Sequence, residues 1–462
     1  MNGRLPYLVN PDSLRDAKEY GAIEKIQNKS NEANPVAQSG FDLAGYVSRR
    51  STRQGKEVQP EDRPDTLGLH YNDAGSIRPS YFVGAVWLGE DQPGQQAIPL
   101  VVKPKIAHLD ALAMFTQVAQ YGDSQTMENL FWMWPEKPLI PGKPLLDLTL
   151  FQVAAYLHAL AWFCQRHLRT AFGRVTQNLQ GRIKGKLQVA ANTRCNLAQA
   201  RVERAVCSFE TVTTDTPANR ILKYGLHLAM RFLAQHKDQD LPALWHWARI
   251  ANAALSHVAH IRITERDFAG MRYGGLMSGY RSMHALARMI MRRLHVEPSG
   301  EVKEQPGTVP FCIDMNKLFE AYVGVRLRKD IPETTFLCQH ERRCETGSSS
   351  FTIRPDFISA DGCIVLDAKY KQYSRNGQYA WNNEDIYQVI SYSMILANDA
   401  PSTRRAFLVY PHASEGEAAF ASCVLKGKYP CGMDFFTIKL PSGLHLHVGR
   451  VSIKVPVKED TP

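Results

Sequence analysis

From residue 67 onward the chain changes hydrophobic rhythm three times, and the first rhythm is that of strands. Ser80-Tyr-Phe-Val-Gly-Ala-Val-Trp-Leu88 and Ala97-Ile-Pro-Leu-Val-Val102 are apolar runs separated by Gly89-Glu-Asp-Gln-Pro-Gly94, which predicts two strands and a hairpin-like turn. From Leu145 to His295 the period lengthens to that of helices. Leu150 to Cys164 is apolar but interrupted by Gln152 and His158, too short for a membrane span, and so is expected as a buried helix. Leu241 to Ile261 and Met277 to Leu294 are amphipathic, and Asp215-Thr-Pro217 supplies an N-cap and a first-turn proline for a helix carrying Asn219 and Lys223. A Pro- and Gly-containing linker, Val296 to Val309, follows.

Beyond the linker the two rhythms mix. Cys312 to Arg328 reads as a helix with Met315, Leu318, Phe319, Tyr322 and Val323 on one face and Glu320 one step off it. Thr352 to Ser359 and Cys363 to Tyr370 read as two strands around a turn at Gly362, with Ile364 and Leu366 alternating against Cys363, Val365 and Asp367. Glu384 to Asn398 reads as a helix and Ala406 to Tyr410 as a strand. The opening residues are polar and rich in Asn, Gln and Ser, a composition that buries little and is expected as a tail or loosely packed extension, with a docking segment as the other reading. The expected organisation is α+β and multidomain: a polar extension (1–66), a β-rich module (67–144), a mostly helical region (145–305) and a C-terminal α/β domain (306–462).

Composition narrows the class. A chain of 462 residues with 44% hydrophobic content can bury more than one core, and its start has no apolar run suited to export, so a cytoplasmic protein without membrane attachment is expected. Nine cysteines, spread out and without a Cys-x-x-Cys pair, argue against a disulfide framework and a zinc ribbon. Cys338, His340 and Cys344 are better read as incidental than as a metal clip. The net charge of +10 is uneven: Phe151 to Gln305 holds 22 Lys and Arg against 10 Asp and Glu. Within it, Arg182, Lys184 and Lys186 surround two glycines, and such clusters attract DNA phosphate without reading sequence. A solvated helical surface, or a face for an acidic partner, is the other reading.

The chemistry-bearing stretch is Ile353-Arg-Pro-Asp356 followed by Cys363-Ile-Val-Leu-Asp367-Ala-Lys369. Two carboxylates on adjacent strands can share one Mg²⁺, a hard ion held by one or two carboxylates plus water and phosphate, with Mn²⁺ as a substitute. Lys369, on the face of Asp367, would hold a water or offset phosphate charge. The bland alternative is a Pro-Asp turn entry and a solvated Asp-x-Lys strand edge. Glu320 is a further carboxylate candidate, against an ordinary helix-surface acid. Asp385, Gln388 and Tyr392 recur on one helix face.

In this order, Glu320, Asp356, Asp367-Ala-Lys369 and Gln388-x-x-x-Tyr392 resemble the restriction-endonuclease-like PD-(D/E)xK core, the last pair looking like the motif of RecB-type nucleases. The resemblance implies Mg²⁺ on the carboxylates, a lysine that helps activate water, and a Gln and Tyr that support the site or the DNA. A second resemblance, to McrC, rests on Asn178-Leu-Gln-Gly-Arg-Ile-Lys-Gly-Lys186, Phe209-Glu-Thr-Val-Thr-Thr-Asp-Thr-Pro-Ala-Asn-Arg-Ile-Leu-Lys223 and Asp314-Met-Asn-Lys-Leu-Phe-Glu320. McrC is the nuclease subunit of modification-dependent restriction systems. The resemblance implies a DNA endonuclease that docks its N-terminal part on a ring of the McrB AAA+ GTPase, stimulates it, and self-associates on DNA. No Gly-x-x-x-x-Gly-Lys-Ser/Thr loop is present, so nucleotide hydrolysis is expected of the partner. A vestigial site serving as an adaptor, or a nuclease working alone, are the competing expectations.

Overall fold

The computed structural model describes residues 15–18, 51–53 and 56–456, the last with breaks at 72–76, 90–96, 105, 107–108, 122–129, 135–136, 141–145, 237–240, 297–301, 305–306, 347–348, 372–381, 396–402, 413–423, 425–434 and 440–444. The chain is α+β and divides into two units, Met1–Lys143 with Pro306–Pro462, and Pro144–Gln305. Parts of the polar arm belong to sheets: Ser51–Arg53 pairs with Lys56–Val58, and Arg15–Lys18 (β1) pairs in parallel with a strand of the β-rich module. In that module Phe82–Leu88 (β2) and Ile98–Lys103 (β3) are antiparallel, with Val86 opposite Leu100, as their spacing predicts. Every residue of β2 is buried, so its continuous apolar run marks an interior strand rather than one with a wet face. Ala111–Tyr121 (α1) and Phe131–Met133 (β4) follow.

The second unit opens with Leu146–Arg166 (α2), buried over most of its length. No helix among the described residues is long and apolar enough to cross a membrane. The sequence predicts mainly helices here, but an antiparallel sheet intervenes: Ala171–Gln180 (β5), Lys186–Leu187 (β6) and Arg204–Thr213 (β7), with β7 central. Most of β5 faces solvent, so the two-residue apolar alternation that reveals a half-buried strand is missing. Pro217–Gln235 (α3), Pro242–Ala254 (α4) and Tyr280–Arg293 (α5) are the long helices that follow in the unit. Helix α3 starts as expected with Pro217 in its first turn, and Thr216 is the cap, its Oγ1 accepting from Asn219 N at 3.2 Å. The buried Asn219 amide donates to Thr214 O and Arg169 O and accepts from Tyr280 OH, which ties three segments together.

Returning to the first unit, Phe311–Asp314 (β8) slots between β2 and β4 and gives the sheet order β1-β3-β2-β8-β4. The expected helix from Cys312 therefore begins only at Met315–Asp330 (α6), where Asp314 caps it by accepting from Lys317 N at 3.0 Å. Segments 67–144 and 306–462 thus share one sheet.

After α6 come the strands Phe336–Cys338 (β9), Arg342–Thr346 (β10), Ser349–Ile353 (β11), Phe357–Ser359 (β12) and Ile364–Ala368 (β13). Asn383–Ile395 (α7), Thr403–His412 (β14), Phe435–Lys439 (β15) and His445–Lys454 (β16) follow. Six strands form a mixed sheet in the order β9-β12-β13-β14-β16-β15, with β13, β14 and β16 parallel. Helix α7 buries Ile386 and Val389 on Val365, Ala406, Leu408 and Val448 of this sheet. The single strand expected over Thr352 to Ser359 is two strands in different sheets, because Pro355 has no N–H for a ladder and the chain changes partner there. Cys338 and Cys344 likewise lie on strands of different sheets.

Candidate active site

The break at Pro355 is what aims Asp356. Its carboxylate Oδ2 accepts from Ala368 N at 2.7 Å, and its carbonyl accepts from Gln339 N at 2.8 Å, so Asp356 is pinned against the end of β13. Along β13, side chains alternate, and Asp367 shares with Val365 the face that α7 covers. Asp367 is held in register between β12 and β14, opposite Leu408, and its side chain is 4% exposed. Lys369 Nζ lies 2.7 Å from Asp367 Oδ2 and donates to Gln388 Oε1 at 2.8 Å. Gln388 Nε2 in turn donates to Tyr392 OH at 2.7 Å, one helical turn along α7. On α6, Glu320 accepts from Gln339 Nε2 at 2.6 Å.

All six residues marked as catalytic in the sequence line one pocket of about 320 Å³. The residues overlooked there are Asn316, Arg354 and Lys371, which share its lining, and Asp385. Lys371 Nζ bonds both oxygens of the buried Asp385, whose Oδ1 is 4.0 Å from Lys369 Nζ. The only advance signal was the position of Asp385 on the face of Gln388.

Electrostatics distinguish this pocket from a solvated strand edge. Burial, then the charges of Asp367 and Glu320, push the Asp356 carboxyl up to about 8. Burial also raises Asp367, against the pull of Lys369, and raises Glu320 despite its bond from Gln339. Lys369 is raised by Asp367, Asp385 and Asp356, which outweigh its own burial, so it stays an ammonium. Clustered acids of this kind are short of positive charge. Among the described residues no three His, Cys, Asp or Glu side chains already form a ligand cage. The donor set nonetheless fits a hard divalent cation, which needs only one or two carboxylates and completes its shell with water and substrate oxygens.

The basic candidates lie in the other unit. Arg182 and Lys184 occupy the exposed turn between β5 and β6, and Lys186 is in β6, opposite Ser208. The segment is an exposed loop that links two strands on opposite sides of β7, where a helical surface was the alternative to a DNA contact. Gly181 and Gly185 carry positive φ of 66° and 70°, and a Cβ on Gly185 would come within 2.5 Å of Ser208 O. Lys184 Nζ sits 4.4 Å above the Phe209 ring.

Fold and pocket together define an α+β protein with an acidic, lysine-bearing pocket at the end of a strand in a mixed sheet. The family model described as McrBC 5-methylcytosine restriction system component matches residues 133–411, and the chain belongs to that family. No curated protein matches it. Among solved structures, the chain is similar at 17% identity to one from the refined half-complex of the tetradecameric assembly of Thermococcus gammatolerans McrB AAA+ hexamers with bound McrC, covering 96% of this chain and 94% of that one, with a TM-score of 0.40. A chain of the Thermococcus gammatolerans McrBC complex is 14% identical over 69% of this chain and 88% of that one, with a TM-score of 0.28.

Proposed function

We propose that the chain is a Mg²⁺-dependent DNA endonuclease subunit of a modification-dependent restriction system, acting with a McrB-like AAA+ GTPase that it stimulates. The observation that carries this reading is the gathering of Glu320, Asp356, Asp367 and Lys369 around one pocket in a member of the McrBC family. Asp356 and Asp367 would hold the ion, with Glu320 as the third acid. When bound, the ion supplies Lewis-acid polarisation of the phosphate and a more acidic water.

The chain's own groups account for the rest. Lys369, fixed between Asp367 and Gln388, presents an ammonium that can donate to a phosphate oxygen or orient the water. Tyr392 holds Gln388, and so holds the lysine. Water attacks phosphorus, the bond to the leaving sugar oxygen breaks, and that oxygen takes a proton. The exposed Arg354 guanidinium at the pocket suits the entering phosphate. A pair of such subunits on one duplex would place a pocket on each strand.

The test is cleavage of a plasmid carrying 5-methylcytosine by the chain with its motor partner and GTP. Cutting is expected with Mg²⁺ or Mn²⁺ and is lost in EDTA; cutting that survives chelation overturns the metal assignment. The basic loop between β5 and β6 is proposed to attract the DNA backbone. Replacing Arg182, Lys184 and Lys186 together with Gln is expected to make the negative slope of log affinity against log salt shallower by roughly 2 to 3, about 0.9 per lost phosphate contact. An unchanged slope removes this loop from the DNA interface.

A further inference from the structure

A second pocket, of about 430 Å³, lies between α3 and α4, within the second unit. Lys223, His227, Met230, Arg231 and Ala234 come from successive turns of α3, with Trp245 and Asn252 from α4 and His260 from the loop beyond it. Among the described residues its positive charge has no acidic partner. Arg220, one turn before Lys223, is neutralised by a two-pronged contact with Asp215 at 2.7 and 2.8 Å. Lys223, by contrast, donates to the neutral Asn252 Oδ1 at 2.9 Å, and among the described residues no carboxylate pairs with Lys223 or Arg231. The charged neighbours of His227 are His260, Arg231 and Lys223, all of which disfavour its protonation alongside burial. The walls are otherwise apolar and aromatic: Leu226, Met230 and Trp245, with the His227 and His260 rings 4.1 Å apart.

We propose that this pocket binds a nucleotide, its phosphate on Lys223 and Arg231 and its base against Trp245 and the two imidazoles. Unpaired cations at the mouth of a concave site attract an oxyanion, and Arg matches phosphate oxygens with a fork of donors. The cavity is too large for phosphate alone, and aromatic rings beside an apolar floor favour a flat ring attached to it. A free mononucleotide and a nucleotide within a DNA strand offer the same chemistry. The pocket uses none of the carboxylates assigned to cleavage, so its occupancy stands apart from that reading.

Calorimetric titration of the full chain in EDTA tests it, with deoxycytidine 5′-monophosphate, deoxycytidine and a single-stranded oligodeoxycytidine as probes. The oligonucleotide is titrated in the Arg182→Gln/Lys184→Gln/Lys186→Gln background so that the basic loop between β5 and β6 does not contribute. The monophosphate is expected to bind at least about tenfold more tightly than the nucleoside, and Lys223→Gln with Arg231→Gln to erase that advantage. Trp245→Leu, which leaves the cations in place, is expected to weaken the monophosphate and not inorganic phosphate. Binding of the oligonucleotide alone, lost in the same variants, assigns the site to a strand rather than a free nucleotide and supports the proposal. Equal binding of nucleoside and monophosphate, indifference to these variants, or no binding by either phosphate-bearing probe overturns it.

Discussion

Asp367→Ala is expected to cut DNA at least about a thousandfold more slowly than the native chain while still stimulating GTP hydrolysis by the motor partner. Losing one of two carboxylates that hold an ion removes several kcal/mol of transition-state stabilisation, and roughly 4 kcal/mol corresponds to a factor of about 10³. The substitution also releases Lys369, whose ammonium lies 2.7 Å from that carboxylate. The strand itself survives, because the backbone of Asp367 is fixed by its register with Leu408. Asp367→Asn separates chemistry from folding. It keeps the shape and removes a charge that burial, with repulsion from Asp385, disfavours more than Lys369 stabilises it, so the melting temperature is expected to hold or rise while cleavage falls. Native-like cleavage by either variant would overturn the catalytic assignment, and loss of cleavage together with a collapsed melting transition would show only damage to the sheet.

Gly84→Val is expected to destabilise the protein by roughly 3 kcal/mol or more, seen as a fall of several degrees in melting temperature by circular dichroism. Gly84 has a φ of 151° and sits opposite Cys312, where β8 crosses β2. A Cβ there would lie 2.3 Å from Phe311 O and 2.8 Å from Cys312 Cα, both backbone atoms that cannot swing aside. The contact joins the β-rich module to the segment that carries the carboxylates. An unchanged melting temperature would mean that β8 is not seated against β2.

Much of the pocket was legible because its motif is local. Asp367 and Lys369 are two apart, and strand geometry alone puts them on one face; Gln388 and Tyr392 are four apart, and helix geometry does the same. The pairing of β2 with β3 was legible from two apolar runs and a turn. Glu320 was harder, since its place depends on how α6 rotates against a distant sheet, a tertiary fact. Arg354 and Lys371 sit within two residues of Asp356 and Lys369, but a lone basic side chain beside a motif carries no pattern that separates it from a solvated charge. The β5–β7 sheet escaped because Phe172 and Val212 remain exposed, so solvent rather than a core meets its side chains. The start of α6 was misplaced because Phe311-Cys-Ile313 is apolar enough to suit either a helix or a buried strand.

The interior position of β8 has a consequence for synthesis. A ribosome that has made Phe82–Leu88 must translate all of Pro144–Gln305 before the strand that pairs with its open side leaves the exit tunnel. Throughout that interval a wholly apolar strand presents unpaired amides and carbonyls to the cell, the template on which nascent chains stick together. Chains that terminate early, anywhere within the second unit, keep that adhesive edge permanently and are destined for chaperones or inclusion bodies.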